Sequence, residues 1–120
     1  MEQDYQGSCH CGAVQFAVKA DLNNSITCNC SLCSKKNAVM VRIPGENFTL
    51  IAGQDMLGLY QWNTNIAKHY FCTTCGIYTF HRPRSAPEKY GINVACLDGI
   101  DARALHPQLL DGASLSREAK

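Results

Sequence analysis

Seven of the eight cysteines stand in three tight groups: Cys9 and Cys11, then Cys28, Cys30 and Cys33, then Cys72 and Cys75. Gaps of one or two residues let neighbouring sulfurs converge on one metal ion, and zinc is the ion best matched to thiolates at such spacing. A closed structural zinc takes four protein ligands, whereas a catalytic zinc takes three and keeps one position open. The two outer pairs make a set of four and the middle trio a set of three. The chain is therefore expected to hold two zinc ions: a structural one on Cys9, Cys11, Cys72 and Cys75, and a catalytic one on Cys28, Cys30 and Cys33.

Each outer pair is followed by a glycine, Gly12 or Gly76. Glycine permits the positive φ that turns backbone N–H groups towards thiolates. Because a long stretch separates the two pairs, closing this site would staple the first strand to a late hairpin and couple ion binding to folding. The trio lacks a fourth partner; water, a substrate thiol, Cys96 or a histidine would fit. A thiol bound there would lose its proton at neutral pH. Cys96, flanked by Ala95 and Leu97, reads more readily as a buried apolar cysteine than as a ligand.

Other chemistry-bearing residues speak less clearly. His10 is expected to face solvent or a carbonyl, His69 and His81 to pack or hydrogen-bond within strands, and His106 to lie on the surface. Ser31 and His81 are the only candidates for a general acid or base. Lys35, Lys36, Arg82 and Arg84 are the cations available to an anionic substrate. A disulfide scaffold is disfavoured, because the opening Met1–Gln6 is polar, with no apolar segment of a signal peptide. The cytoplasm is the expected location.

The elements that must position these thiols are short. Residues 13–19 alternate, with Val14, Phe16 and Val18 on one face. A turn over Asp21–Ser25 leads to an extended Ile26–Thr27, which delivers the trio. Ser31–Lys36 suits one helical turn that folds Cys33 back towards Cys30. Ala38–Ile43 reads as a strand, with Phe48–Ile51 as its hairpin partner across Pro44-Gly45. Gly58–Trp62 and Ala67–Phe71 form another pair, followed by a strand over Ile77–His81, a loop rich in Pro and Arg, and a final strand over Tyr90–Cys96. Asp101 caps a short turn through Leu105, and Ala113–Lys120 reads as a frayed tail. Short strands with frequent turn signals predict an all-β or β-rich fold.

At 120 residues the chain is expected to be a single domain over 1–120, with a core over about 7–105. A net charge of +1 without a basic stripe gives no support for nucleic-acid binding. No apolar run reaches the roughly 18 residues of a membrane span.

The ordered motifs Gly7-Ser8-Cys9-His10-Cys11-Gly12-Ala13-Val14, Cys28-Asn29-Cys30-Ser31-Leu32-Cys33 and Phe71-Cys72-Thr73-Thr74-Cys75-Gly76 resemble the glutathione-dependent formaldehyde-activating enzyme family. Asn93-Val94-Ala95-Cys96-Leu97-Asp98 is similar to that family's closing strand, and centromere protein V carries a domain of the same family. The resemblance implies an Mss4-like, or β-tent, fold of several coiled antiparallel sheets, with structural and catalytic zinc on the four and three cysteines named above. It also implies a carbon–sulfur lyase that joins a small thiol, glutathione, to a small aldehyde, formaldehyde, as S-hydroxymethylglutathione. The alternative it leaves is a non-catalytic zinc module that binds a protein partner or a small thiol.

Overall fold

A computed structural model describes residues 1–62 and 64–110. The tail expected over Ala113–Lys120 lies outside the described residues. Ten strands and one α-helix follow in chain order: β1 (Gln3–Ser8), β2 (Gln15–Ala20), β3 (Ile26–Cys28), α1 (Ser31–Lys36), β4 (Met40–Ile43), β5 (Phe48–Ala52), β6 (Leu57–Tyr60), β7 (Lys68–Cys72), β8 (Tyr78–Arg82), β9 (Tyr90–Asn93) and β10 (Gln108–Leu110). They form two sheets, a small one ordered β1-β2-β5 and a large one ordered β10-β3-β4-β9-β8-β7-β6. All pairings are antiparallel except β10 with β3, which is parallel. No helix among the described residues is long and apolar enough to cross a membrane.

The alternation in β2 does what its pattern predicts. Phe16, Val18 and Ala20 are buried while Gln15 and Lys19 face outwards. Phe16 meets Phe48 of β5 at 5.9 Å between ring centres, and both rings contact Phe80 of β8. Tyr70 of β7 and Tyr90 of β9 complete this aromatic cluster. It joins the inner faces of the two sheets and places the core between them.

Three expectations are corrected here. The hairpin of β4 with β5 does not form: β4 pairs with β3 and β9, while β5 crosses to β2 in the small sheet. Phe48 explains the crossing, because only there can its ring stack on Tyr90 and Phe16 together. The strand over Tyr90–Cys96 stops at Asn93, whose side chain accepts from the Ala95 N–H and turns Val94–Cys96 into a 3-10 turn. It is not the last strand either, since β10 follows. The remaining sheet elements and the helical turn over Ser31–Lys36 stand close to where the patterns put them, and Asp101 does cap the turn over Ala102–Ala104.

Candidate metal centres and the pocket beside the trio

Cys9 and Cys11 leave the end of β1, and Cys72 and Cys75 leave the end of β7, so the fold carries two distant turns to one place. The four sulfurs lie within 4.8 Å of one another. Cys9 Sγ is 3.6 Å from Cys11 Sγ, which is 3.7 Å from Cys72 Sγ. Those separations match the roughly 3.8 Å edge of a tetrahedron with zinc–sulfur bonds of about 2.3 Å, and they are far too long for disulfides. Gly12 and Gly76 have φ of +82° and +80°, the same left-handed turn after each pair. These turns aim backbone donors at the sulfurs: Val14 N–H reaches Cys9 Sγ at 3.3 Å and Thr74 N–H reaches Cys72 Sγ at 3.4 Å. The N–H groups of Cys11 and Ile77 hold Cys75 down to about 6, and those of Cys75 and Thr74 lower Cys72. Two of the four thiols are thus pre-set towards the charged form that a metal ion needs.

The second group stands at the other end of the large sheet. β3 ends at Cys28, and Cys30 begins α1 as its N-terminal cap, with Cys33 N–H donating to Cys30 Sγ at 3.4 Å. The first turn of the helix brings Cys33 back over Cys30, and Asn37 closes the helix in a left-handed conformation at φ 54°. Cys28, Cys30 and Cys33 put their sulfurs within 4.8 Å of one another, and no further Cys, His, Asp or Glu among the described residues joins the group. Burial first, then the charges of the neighbouring sulfurs, pushes Cys28 and Cys33 up. A divalent cation would reverse that balance, so this donor set also fits zinc.

Cys96 is the buried cysteine its flanks suggest. It donates to the Tyr78 carbonyl at 3.5 Å, and burial, then the charges of Cys9 and Cys75, pushes it up to about 12. It therefore sits beside the group of four rather than the trio.

A cavity of about 60 Å³ lies against the trio, lined by Cys28 and Cys33 together with Lys36, Arg42, Tyr78 and His81. Tyr78 Oη is 2.7 Å from His81 Nδ1 and 3.4 Å from His69 Nδ1. The two imidazoles, cross-strand partners on β7 and β8, stack at 5.2 Å. Lys36 Nζ lies 3.1 Å above the centre of the Tyr78 ring, a cation–π contact that covers the phenol from the helix side. Burial governs the charges of this group. It lowers Lys36 to about 8, His69 to about 4 and His81 to about 3, and it raises Tyr78 well above the ordinary phenol range. At neutral pH the wall offers one neutral imidazole, His81, with His69 stacked against it, and a protonated phenol.

Of the residues singled out from sequence, His81 and Lys36 line this cavity, while Ser31 does not. His10, Lys35 and His106 are exposed. Arg82 is occupied elsewhere, donating to the Pro87 carbonyl and the Tyr90 hydroxyl, each at 2.9 Å. Arg84 does not line the cavity. Sequence reasoning missed Tyr78 and Arg42. Tyr78 lies three residues past Cys75, and only strand register shows that β8 brings it beside a thiol group that ends at Cys33, far earlier in the chain.

The sequence profile of the family described as glutathione-dependent formaldehyde-activating enzyme matches residues 4–111. A protein of Halomonas elongata named for the same family is 32% identical over an alignment 79 positions long, which covers 58% of this chain and 50% of that protein. The crystal structure of a Rhodobacter sphaeroides protein is 42% identical, with a TM-score of 0.83 over 87% of this chain and 97% of that one. The fold is Mss4-like, as the resemblance implied. The thiol motifs, the fold and the profile match agree: this chain belongs to the glutathione-dependent formaldehyde-activating enzyme family.

Proposed function

We propose that the protein is a zinc-dependent carbon–sulfur lyase that joins a small aldehyde to a thiol, or releases it, at the trio. The observation that carries this reading is a three-sulfur donor set opening onto a cavity with its own proton-handling side chains. Cys28, Cys30 and Cys33 would hold a zinc ion, which would supply a Lewis-acid centre favouring the thiolate form of a substrate thiol. The group of four supplies a second, structural zinc site that ties β1 to β7.

The rest falls to the chain's own side chains. Joining thiol and aldehyde forms one carbon–sulfur bond, moves the carbonyl π electrons onto oxygen and requires a proton there. Tyr78 Oη, fixed by His81, carries that proton on the cavity wall. Its raised pKa keeps it a donor throughout the neutral range. With the His81 Nδ1–H donating to Tyr78 Oη at 2.7 Å, the phenol proton is left for the aldehyde oxygen, and the proton that the substrate thiol gives up restores the phenol. Lys36 offsets negative charge gathering on the oxygen. In the reverse direction the phenol oxygen takes up the hydroxyl proton as the phenol's own proton returns to the departing sulfur and the carbon–sulfur bond breaks.

The narrowness of the cavity favours a second reading, a non-catalytic module that binds a small thiol. One experiment separates the two. Two-dimensional NMR exchange between formaldehyde hydrate and its thiol adduct is measured with zinc-loaded protein and glutathione. The lyase reading expects exchange faster than the spontaneous rate, abolished in Cys30→Ser and slowed about tenfold or more in Tyr78→Phe. Exchange at the spontaneous rate, with the thiol bound, would support the module instead.

A further inference from the structure

Arg42 stands on β4 opposite Gly91 of β9. Gly91 is opposite His81 of β8, and His81 is opposite His69 of β7. The four make one cross-strand row. In β4, Val41 and Ile43 are buried in the core, so alternation sends Arg42 to the other face, the side of the trio's cavity. Gly91 carries no side chain and leaves the space above β9 to its neighbours; Arg42 is near enough that its charge helps to lower His81.

Arg42 is only partly used. Its Nη1 donates to Ser85 Oγ at 3.3 Å, while its Nε is closed off from solvent and has no partner among the described residues. A guanidinium does not shed its charge, so a dry, idle Nε–H is a standing cost to the fold. Arg42 is also the cation shared by two cavities. One is the cavity of the trio. The other, of about 320 Å³, is lined by Asn24, Ile26, Gln108, Leu109 and Leu110 as well as Arg42. Among the described residues no Asp or Glu lines either, and Lys36 adds a second positive charge to the first. A carboxylate is the group that would satisfy Nε and a neighbouring Nη together.

We infer that Arg42 is the specificity-determining residue of this site: it receives a carboxylate of the thiol substrate and so selects acidic thiols over neutral ones. The assignment rests on the thiol chemistry proposed for the trio and adds the feature by which the thiol is chosen. It also moves the anion-reading role from Arg82 and Arg84, the loop residues suggested by sequence, to the interior of β4.

The test is calorimetric titration of the zinc-loaded protein with 3-mercaptopropionate and with neutral 2-mercaptoethanol. In Arg42→Met, affinity for the acid is expected to fall at least about tenfold while that for the neutral thiol stays within about twofold. Arg42→Lys should recover part of the difference. Thermal stability of Arg42→Met should be unchanged or raised, because an unsatisfied buried donor is removed. Equal loss for both thiols, or no loss for either, overturns the assignment. If the unaltered protein binds neither thiol, it is the chemistry at the trio that fails. Propionate, which has no thiol, then still tests Arg42: its addition should move the Arg42 Nε–H resonance, and an unmoved signal overturns the assignment.

Discussion

Gly91→Ala is the substitution that most sharply tests how the site is held. Gly91 does not have the left-handed φ that glycine alone adopts freely. It is there for space. A Cβ at this position would stand 2.7 Å from His81 Nδ1 and 2.9 Å from Nε2, where ordinary contact begins at 3.4 Å. The ring must retreat by most of an ångström, yet it is stacked on His69 and tied to Tyr78 at 2.7 Å. Overpacking of this kind costs about 1–3 kcal/mol, and losing the Tyr78–His81 hydrogen bond adds about 1 kcal/mol. The expected loss is therefore about 2–4 kcal/mol in urea unfolding of the zinc-loaded protein, with an unchanged slope on denaturant. The decisive arm is the same change made in a His81→Ala background. With the ring gone, alanine meets open space and lowers the entropy of the unfolded chain, so it should be neutral or stabilising by up to about 1 kcal/mol. The coupling energy of the cycle is then about 2 kcal/mol or more. A cost below about 0.5 kcal/mol for Gly91→Ala alone, or the same cost in both backgrounds, would refute the packing argument.

Other expectations follow from the same geometry. Cys30→Ser should lose one zinc ion per chain by atomic absorption and keep a cooperative unfolding transition, whereas Cys72→Ser should lose that transition, because the group of four joins β1 to β7. The reverse pattern would mean that the roles of the two groups have been exchanged. His69 and His81 lie below the ordinary histidine value of 6.5, at about 4 and about 3. As the pH falls the unfolded chain takes up protons first, so their contribution is complete above about pH 6.5 and is lost on acidification towards pH 4 and below. In NMR neither imidazole should titrate between about pH 5 and 7; a midpoint above 6 for either would contradict its burial. Asn93→Ala removes the 2.8 Å bond from Asn93 Nδ2 to the Tyr78 carbonyl, which keeps the longer one from Cys96 Sγ, and frees the Ala95 N–H. It should cost about 1–3 kcal/mol by thermal or denaturant unfolding, and a neutral result would mean that this link does not fasten β9 to β8.

The two thiol groups could be read from the chain because the spacing of the cysteines is local information. Two residues between Cys72 and Cys75, with a glycine after, impose one kind of turn whatever the rest of the molecule does. The alternation of β2 and the helical turn behind Cys30 are local in the same sense. What escaped is information carried by pairing. The stretch Gln3–Ser8 offers Tyr5 as its one large apolar side chain, and Gln108–Leu110 is exposed throughout, so neither β1 nor β10 shows a buried face to recognise. Both form by laying backbone along an existing strand. Phe48–Ala52 carries the same alternation whichever sheet receives it, and the aromatic cluster, rather than the Pro44-Gly45 turn, decides the partner. The row Arg42–Gly91–His81–His69 is the clearest case. Its members come from four strands, each unremarkable alone, and only the register brings them to one face beside Tyr78 and the trio.

The central claim is that the two thiol groups differ by one ligand and that the missing ligand is the substrate's sulfur. Zinc K-edge X-ray absorption on the fully loaded protein measures this directly. With two ions per chain, one on four sulfurs and one on three, the average count is about 3.5 sulfurs per zinc, and saturating thiol should raise it to about 4. An average already at four before thiol is added, or one that does not move when it is, would contradict the account.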